Sequence, residues 1–128
     1  MRAKSFSVSI VAPGRQLFTY EAKSMRVPGV SGSIGIIAGR GALLASLQVG
    51  LVHILGIRER KHLLGLSGGF FEVIDNRAIV VADEIIFESE VKHPGVWIDR
   101  PLYIPNKFRD RLHKMEFLNA MLWRHLHP

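Results

Sequence analysis

The sequence predicts a mainly β protein, an N-terminal β-sandwich followed by a C-terminal α-helical segment. Three observations predict it. From Ser5 to about Glu84, apolar residues recur at alternate positions in short runs, which is the period of a half-buried strand. Turn-forming glycines and prolines punctuate those runs, and no long helical period interrupts them, as in sandwiches and barrels. Beyond residue 106 the apolar spacing lengthens to three and four, the period of an amphipathic helix. The expected division is a sandwich domain over residues 1–84 and a C-terminal segment over 85–128, with one long amphipathic helix at about 107–126.

Each element has a local reason. In Ser5-Phe6-Ser7-Val8-Ser9-Ile10, Phe6, Val8 and Ile10 share one face and the serines the other, and Pro13-Gly14 supplies a turn. Lys23, Met25 and Val27 alternate with Ala22, Ser24 and Arg26 until Pro28-Gly29 ends the run. Leu51 to Leu55 and His62 to Leu66 flank the cluster Arg58-Glu59-Arg60-Lys61, which reads as a charged hairpin turn. Phe70 to Ile74 and Ala78 to Val81 flank a second turn at Asp75-Asn76. Pro94-Gly95, Pro101 and Pro105 make residues 90–105 a poor helix, because proline lacks the N–H and clashes with the preceding turn. Phe108, Leu112, Met115, Leu118, Leu122 and Leu126 then fall on one helical stripe. Asn106 is placed to accept the first free N–H groups, and Arg124 lies where the helix dipole favours a cation. Phe117, Met121 and Trp123 widen the apolar surface. Such a helix calls for a cover: the sandwich, another subunit or a second copy.

Composition narrows the classes of function. The 128 residues are 48% hydrophobic and 22% charged, enough for one packed domain and too few for a multidomain enzyme. There is no cysteine, which excludes disulfides and thiolate metal sites. No apolar run approaches the roughly 20 residues of a membrane span; the richest, Gly35 to Ile57, is broken by Arg40, Gln48 and His53. Met1-Arg2-Ala3-Lys4-Ser5 begins basic but lacks the unbroken apolar core of a signal peptide. The expectation is a cytosolic protein, or one held peripherally at a membrane assembly. The net charge of +6 suggests an acidic partner, although the cations are spread along the chain and no aromatics interleave with the one compact cluster, as single-stranded nucleic acid would require.

Candidate chemistry meets plain structural readings. Gly65-Leu66-Ser67-Gly68-Gly69 has the G-x-S-x-G pattern of a hydrolase nucleophile elbow, which needs a strand before the serine and a helix after it. Here Phe70-Phe71-Glu72-Val73-Ile74 reads as a strand, so Ser67 is assigned to a turn or bulge and no catalytic residue is expected. Gly35-Ile36-Ile37-Ala38-Gly39-Arg40-Gly41 is glycine-rich, but lacks the Lys-Ser or Lys-Thr of a phosphate-binding loop. The six histidines are scattered. His125 and His127 are badly spaced for a shared metal on a helix, and His113 lies too far from His125, so neither metal nor cofactor is expected. Trp97 and Trp123 read as packing anchors. The residues alone describe a binding or structural module.

An ordered set of segments goes further. Val27-Pro28-Gly29-Val30-Ser31-Gly32-Ser33-Ile34-Gly35-Ile36-Ile37 precedes Leu43-Leu44-Ala45-Ser46-Leu47-Gln48-Val49-Gly50; Leu66-Ser67-Gly68-Gly69-Phe70-Phe71-Glu72-Val73 and Ala78-Ile79-Val80-Val81-Ala82-Asp83 follow. In order and spacing this resembles the epsilon subunit of F-type ATP synthases, called delta in mitochondria. Phe6 to Val11 with Pro13-Gly14 fits as well. The resemblance spans roughly residues 5–84, and the ordered set carries it.

The resemblance implies a non-catalytic central-stalk subunit that couples the gamma shaft to the membrane ring of c subunits. It implies peripheral attachment at the cytoplasmic face of a bacterial inner membrane, indirect membrane contact and no nucleic acid. By position, Val30, Ser31, Gly32 and Ser33 would meet the loops of the c-ring. Ala12, Arg40, Gly41, Ala42 and Ala45 would lie against gamma. The chain departs from the family pattern at Ser33, where an acidic residue is usual, and at Arg40 and Ala42, which stand for His and Pro. The C-terminal segment departs most. Of the nucleotide motif I-D-x-x-R-A only Ile98 and Asp99 match, with Leu102 and Tyr103 in place of Arg and Ala, so no nucleotide site is expected. The single helix could touch alpha and beta subunits and restrain ATP hydrolysis, as the helical hairpin does in some members. The competing reading is a stand-alone basic sandwich that binds nucleic acid or another acidic partner.

Overall fold

The computed structural model describes residues 4–95 and 111–128, the side chains of 111–113 excepted. Among these residues nine strands precede one α-helix. The strands are β1 (Phe6–Val11), β2 (Phe18–Gly29), β3 (Gly32–Ile37), β4 (Leu43–Leu47), β5 (Gly50–Gly56), β6 (Lys61–Leu66), β7 (Gly69–Ile74), β8 (Arg77–Ala82) and β9 (Ile85–Phe87). The helix, α1, is Arg111–Leu126. The mainly β architecture expected from the alternating runs is the one observed.

β2 joins the two layers. Ala22 pairs with Phe6 of β1 and with Gly56 of β5; Gly29 pairs with Gly32 of β3 and with Leu47 of β4. A strand has two edges, so β1 and β5 flank the start of β2 while β3 and β4 flank its end. One layer continues β1-β8-β7-β4 and the other β3-β2-β5-β6-β9. Of these pairings only β1 with β8 is parallel. The register between β2 and β5 slips between Ala22 and Ser24. This bulge breaks the simple alternation of the sequence, which groups Lys23 with Met25 and Val27. Ala22, Met25 and Val27 are buried, whereas Lys23 is exposed and pairs with Glu59.

The segment from Leu64 to Phe87 is a single bent hairpin. Its tip is Asp75-Asn76, both with positive φ (49° and 59°), the backbone of a two-residue hairpin turn. β7 pairs with β8 up to Gly69–Ala82, and β6 pairs with β9 from Leu66–Ile85 onward, with the register unbroken between them. Two hydrogen bonds fill the gap: the Ser67 N–H donates to Glu84 O at 3.0 Å, and the Asp83 N–H donates to Gly68 O at 2.9 Å. The hairpin thus turns the corner between layers at Ser67-Gly68. Gly69 is required there. Its φ is +144°, and a Cβ would lie 2.0 Å from the Val81 carbonyl oxygen.

The core lies between the layers. Phe6, Val8, Ile10, Ile36, Val52, Ile54, Leu64, Leu66, Phe71 and Val80 are each at most 2% exposed. Burial of a side chain of this size contributes about 1.5–3 kcal/mol. β6 is buried on both faces. Leu64 and Leu66 point into the core, while Leu63 packs outward with Ile86, Leu118 and Leu122. The sandwich therefore covers the apolar helix. Phe117 and Ala120 form a second small cluster against Val49. The expected N-cap Asn106 and the stripe member Phe108 lie outside the described residues, as does the side chain of Leu112.

The chain leaving β9 is tied down on both sides. Arg15 pairs with Glu90 and lies over the Phe87 ring, 5.3 Å from its centroid. Glu90 also accepts from the Phe87 N–H at 3.0 Å. Asn119 of α1 clamps Lys92: its Oδ1 accepts from the Lys92 N–H at 2.9 Å and its Nδ2 donates to Lys92 O at 2.8 Å.

Candidate functional site

The site is a surface. On the layer β1-β8-β7-β4, the inward positions are buried or half-buried, and several outward ones carry large exposed apolar side chains among Ser7, Ser9, Ser46, Glu72 and Arg77. Phe70 is 57% exposed and Leu44 70%, and Val11, Ile74, Ile79 and Val81 are also exposed. Strand register makes them neighbours. Phe70 lies opposite Val81, and Val81 opposite Val11; Glu72 lies between Leu44 and Ile79. A contiguous apolar face of this kind marks a docking surface.

Two loops border this face. At one end the hairpin tip holds the glycine-rich segment, because Asn76 Oδ1 accepts from the Gly39 N–H at 2.7 Å. The Arg40 N–H donates to Ile37 O at 3.2 Å to close that turn. Arg40, Gly41 and Ala42 are exposed here, beside a recess of about 280 Å³ lined by Ala42, Leu44, Glu72 and Ile74. At the other end lies the β2–β3 turn, fixed to β4 by the Val30 N–H donating to Ser46 O at 3.1 Å and the Gln48 N–H donating to Pro28 O at 2.9 Å. Val30, Ser31, Gly32 and Ser33 stand exposed, Val30 at 59%. With Leu44, Ala45 and Ser46 they line a recess of about 380 Å³. Gly29 permits the tight turn, since a Cβ there would meet the Gly32 carbonyl at 2.7 Å.

The residues singled out from the sequence divide three ways. Val30 to Ser33 form one exposed loop, and Arg40 to Ala42 another. Ala45 is half-buried, on the inward side of β4 with Leu43 and Leu47, and sits beside the Val30–Ser33 loop instead of beside Arg40. Ala12 is 5% exposed and belongs to the core, so it offers a partner little surface. Ser33, which stands where an acid is usual, accepts from Arg26 Nη1 at 3.1 Å. Ile98 and Asp99 lie outside the described residues. Sequence reading missed the apolar face itself. Its signal was present in Phe70, Ile79 and Val81, which break the apolar–polar alternation of an exposed layer by being apolar on both sides.

Ser67 is 8% exposed, sits on the corner and is followed by a strand, so the elbow geometry is not met. Among the described residues no group of three His, Asp or Glu could hold a metal, and no helix is long and apolar enough to cross a membrane.

Comparison with known proteins agrees with this geometry. Residues 5–88 match the family described as ATP synthase, Delta/Epsilon chain, beta-sandwich domain. The chain is 34% identical over 82 residues to an ATP synthase epsilon chain of Chlorobaculum tepidum, covering 64% of this chain and 93% of that one. It is 34% identical over 91 residues to the epsilon chain of Syntrophomonas wolfei, and 32% identical over 80 residues to that of Helicobacter pylori strain P12. These matches span 66% and 64% of those two relatives, and 71% and 62% of this chain. Among solved structures, a chain of the Euglena gracilis mitochondrial ATP synthase (OSCP/F1/c-ring) has a TM-score of 0.70 at 15% identity, covering 99% of this chain and 84% of that one. A chain of the Tetrahymena thermophila mitochondrial ATP synthase central stalk/c-ring has a TM-score of 0.62 at 12% identity, covering 98% of both; at such identities the two likenesses speak for the fold alone. By its corner hairpin, its ordered glycine-bearing segments and the match over residues 5–88, the chain belongs to the ATP synthase delta/epsilon chain family.

Proposed function

We propose that the chain is a non-catalytic central-stalk subunit of an F-type ATP synthase, seated between a gamma-type shaft and a c-ring. The apolar face of β4, β7, β8 and β1, with an exposed loop at each end, is the observation that carries this reading. A rotor joint must transmit torque without slip. That requires a rigid sandwich, an apolar patch that buries against a partner, and polar loops that set register at the rim. Leu44, Phe70, Ile74 and Ile79 supply the patch, with Arg40, Gly41 and Ala42 beside it on the gamma side. Val30, Ser31, Gly32 and Ser33 supply the loop that meets the ring, with Ala45 supporting it from behind. Ala12 acts through its place in the core under this surface. Attachment is peripheral, through the assembly and at the cytoplasmic face of a bacterial inner membrane. In this reading residues 1–84 carry the docking surface and 85–128 are the C-terminal segment, of which β9 extends the sheet and α1 packs back onto it.

The test is affinity for the gamma subunit of the same source. Phe70→Asp and Leu44→Asp, both outward-facing, should leave the fold intact and weaken binding at least about tenfold, since a charge buried at an apolar contact costs more than a rim charge. Unchanged affinity in both variants would remove this face from the joint.

A further inference from the structure

The last turn of α1 meets the sandwich through histidines. His53 on β5 and His125 on α1 are in edge-on ring contact, with centroids 5.2 Å apart. Two residues before His125, Trp123 contacts the His93 ring at 5.1 Å and stacks on His127 at 3.9 Å. His53 and His125 share a cavity of about 670 Å³ between the helix end and the outer face of β2, β5 and β6. Arg26 of β2 lies directly opposite His53 in the strand register. Lys61 and His62 of β6 line the same cavity. Among the described residues lining it, Glu88 is the one carboxylate, and it accepts from the Leu63 N–H at 2.7 Å. His53 is half-buried while His125, Arg26 and Lys61 are exposed, so a proton added to His53 enters the covered side of a contact that already carries Arg26 and Lys61.

We propose that the His53–His125 contact is a proton-sensitive latch, which holds α1 on the sandwich while His53 is neutral and releases the helix end when His53 takes up a proton. The physical basis is linkage. In the docked form burial disfavours a charge on His53, and His125 and Arg26 add to the effect, so its pKa lies below the ordinary value for histidine. Undocking exposes the ring to water and takes His125 away. The undocked form thus binds more protons at a given pH. Docking is at full strength above the free histidine pKa of about 6.5 and weakens as pH falls through it. The loss levels off once the pH is below the depressed value in the docked form. Leu118 and Leu122, packed on Gly65, remain as the apolar part of the contact, so release begins at Trp123 to Leu126. The proposal concerns this chain's own helix and stands whether or not the rotor assignment does.

Hydrogen exchange of the full chain, corrected for the intrinsic pH dependence, tests it. From about pH 7.5 to about pH 5.5, amides of the last two helical turns should lose protection several-fold. Amides of Phe71 and Val80, deep in the core, serve as the reference for global opening and should not follow. His53→Gln and His125→Gln should each flatten the helix response while leaving the helix docked at neutral pH. The two substitutions lie on different elements, so a fold defect in one leaves the other to decide. The imidazole titration of His53, followed by NMR, should rise toward the free value in Gly65→Leu, which lifts the helix. Helix protection that ignores pH, or that falls equally in both glutamine variants, would overturn the latch, as would a His53 midpoint unchanged by Gly65→Leu.

Discussion

Gly65 lies directly beneath Leu118. A Cβ on Gly65 would come 2.6 Å from Leu118 Cδ1 and 3.1 Å from Leu122 Cδ1. The helix therefore approaches β6 as closely as a bare backbone allows, and the apolar stripe Met115, Leu118 and Leu122 closes over Leu63 and Ile86. Gly65 falls within the G-x-S-x-G pattern, and its role there is to seat a helix.

Gly65→Val should therefore push α1 off the sheet without disturbing the inner core. We expect a loss of about 1–3 kcal/mol in denaturant unfolding, the range for overpacking a filled contact. Loss of helix amide protection with the β7–β8 amides retained would locate the damage. Leu122→Ala, which leaves a cavity in the same contact, should cost about 2–5 kcal/mol.

The corner of the hairpin sets a stricter limit. At Gly69 a Cβ meets backbone, not a side chain that can move: Val81 O at 2.0 Å and Ala82 Cα at 2.9 Å. Gly69→Ala should open the corner and lower the melting temperature far more than Gly41→Ala, where a Cβ meets nothing within 4 Å. Thermal melts of the two variants side by side give the comparison.

Asn119 makes two hydrogen bonds to the backbone of Lys92, one donated and one accepted. Asn119→Ala strands both Lys92 groups near the surface and should cost about 1–2 kcal/mol. Asn119→Asp keeps the acceptor and loses the donor, so it should retain part of that stability. Equal losses in the two variants would contradict the two-way clamp.

Arg15 holds the Glu90 carboxyl below its usual range, chiefly by their side-chain hydrogen bond. A depressed carboxylate contributes stability above its unfolded pKa and loses it as pH falls through the folded one. The pair is partly exposed, so the contribution at neutral pH is a few tenths to about 1 kcal/mol. Arg15→Gln should show that deficit at pH 7, and the difference should shrink to what the Phe87 contact alone contributes once the pH is well below the carboxylate range. Denaturation curves at the two pH values would reveal it.

Much of this was readable in the sequence, and the gaps have physical causes. Phe6, Val8 and Ile10 alternate because one face of β1 is core, and strict alternation is the strongest strand signal. Asp75-Asn76 between apolar runs gave the hairpin. The glycines between Val27 and Gly35, with Ser67-Gly68-Gly69, gave the family. The bulge after Ala22 was not readable, because a slipped register leaves no local mark. Nor was the burial of Ala12, since an alanine fits both core and surface. His125 reads only as one of the scattered histidines until the fold brings His53 to it, and nothing in the sequence marks Asn119 as the partner of Lys92. Contacts between residues distant in the chain are made by topology, and single-sequence periodicity is silent about them.

A chain built into the stalk of a rotary ATP synthase must hold its neighbouring subunits through the apolar face. Affinity purification of the tagged full chain from solubilised membranes of its source, repeated at high salt, tests it most directly. Gamma, alpha, beta and c subunits should be recovered together and persist at high salt, and Phe70→Asp should abolish their recovery. Recovery of nucleic acid alone, released by salt, with no ATP synthase subunit present, would contradict it.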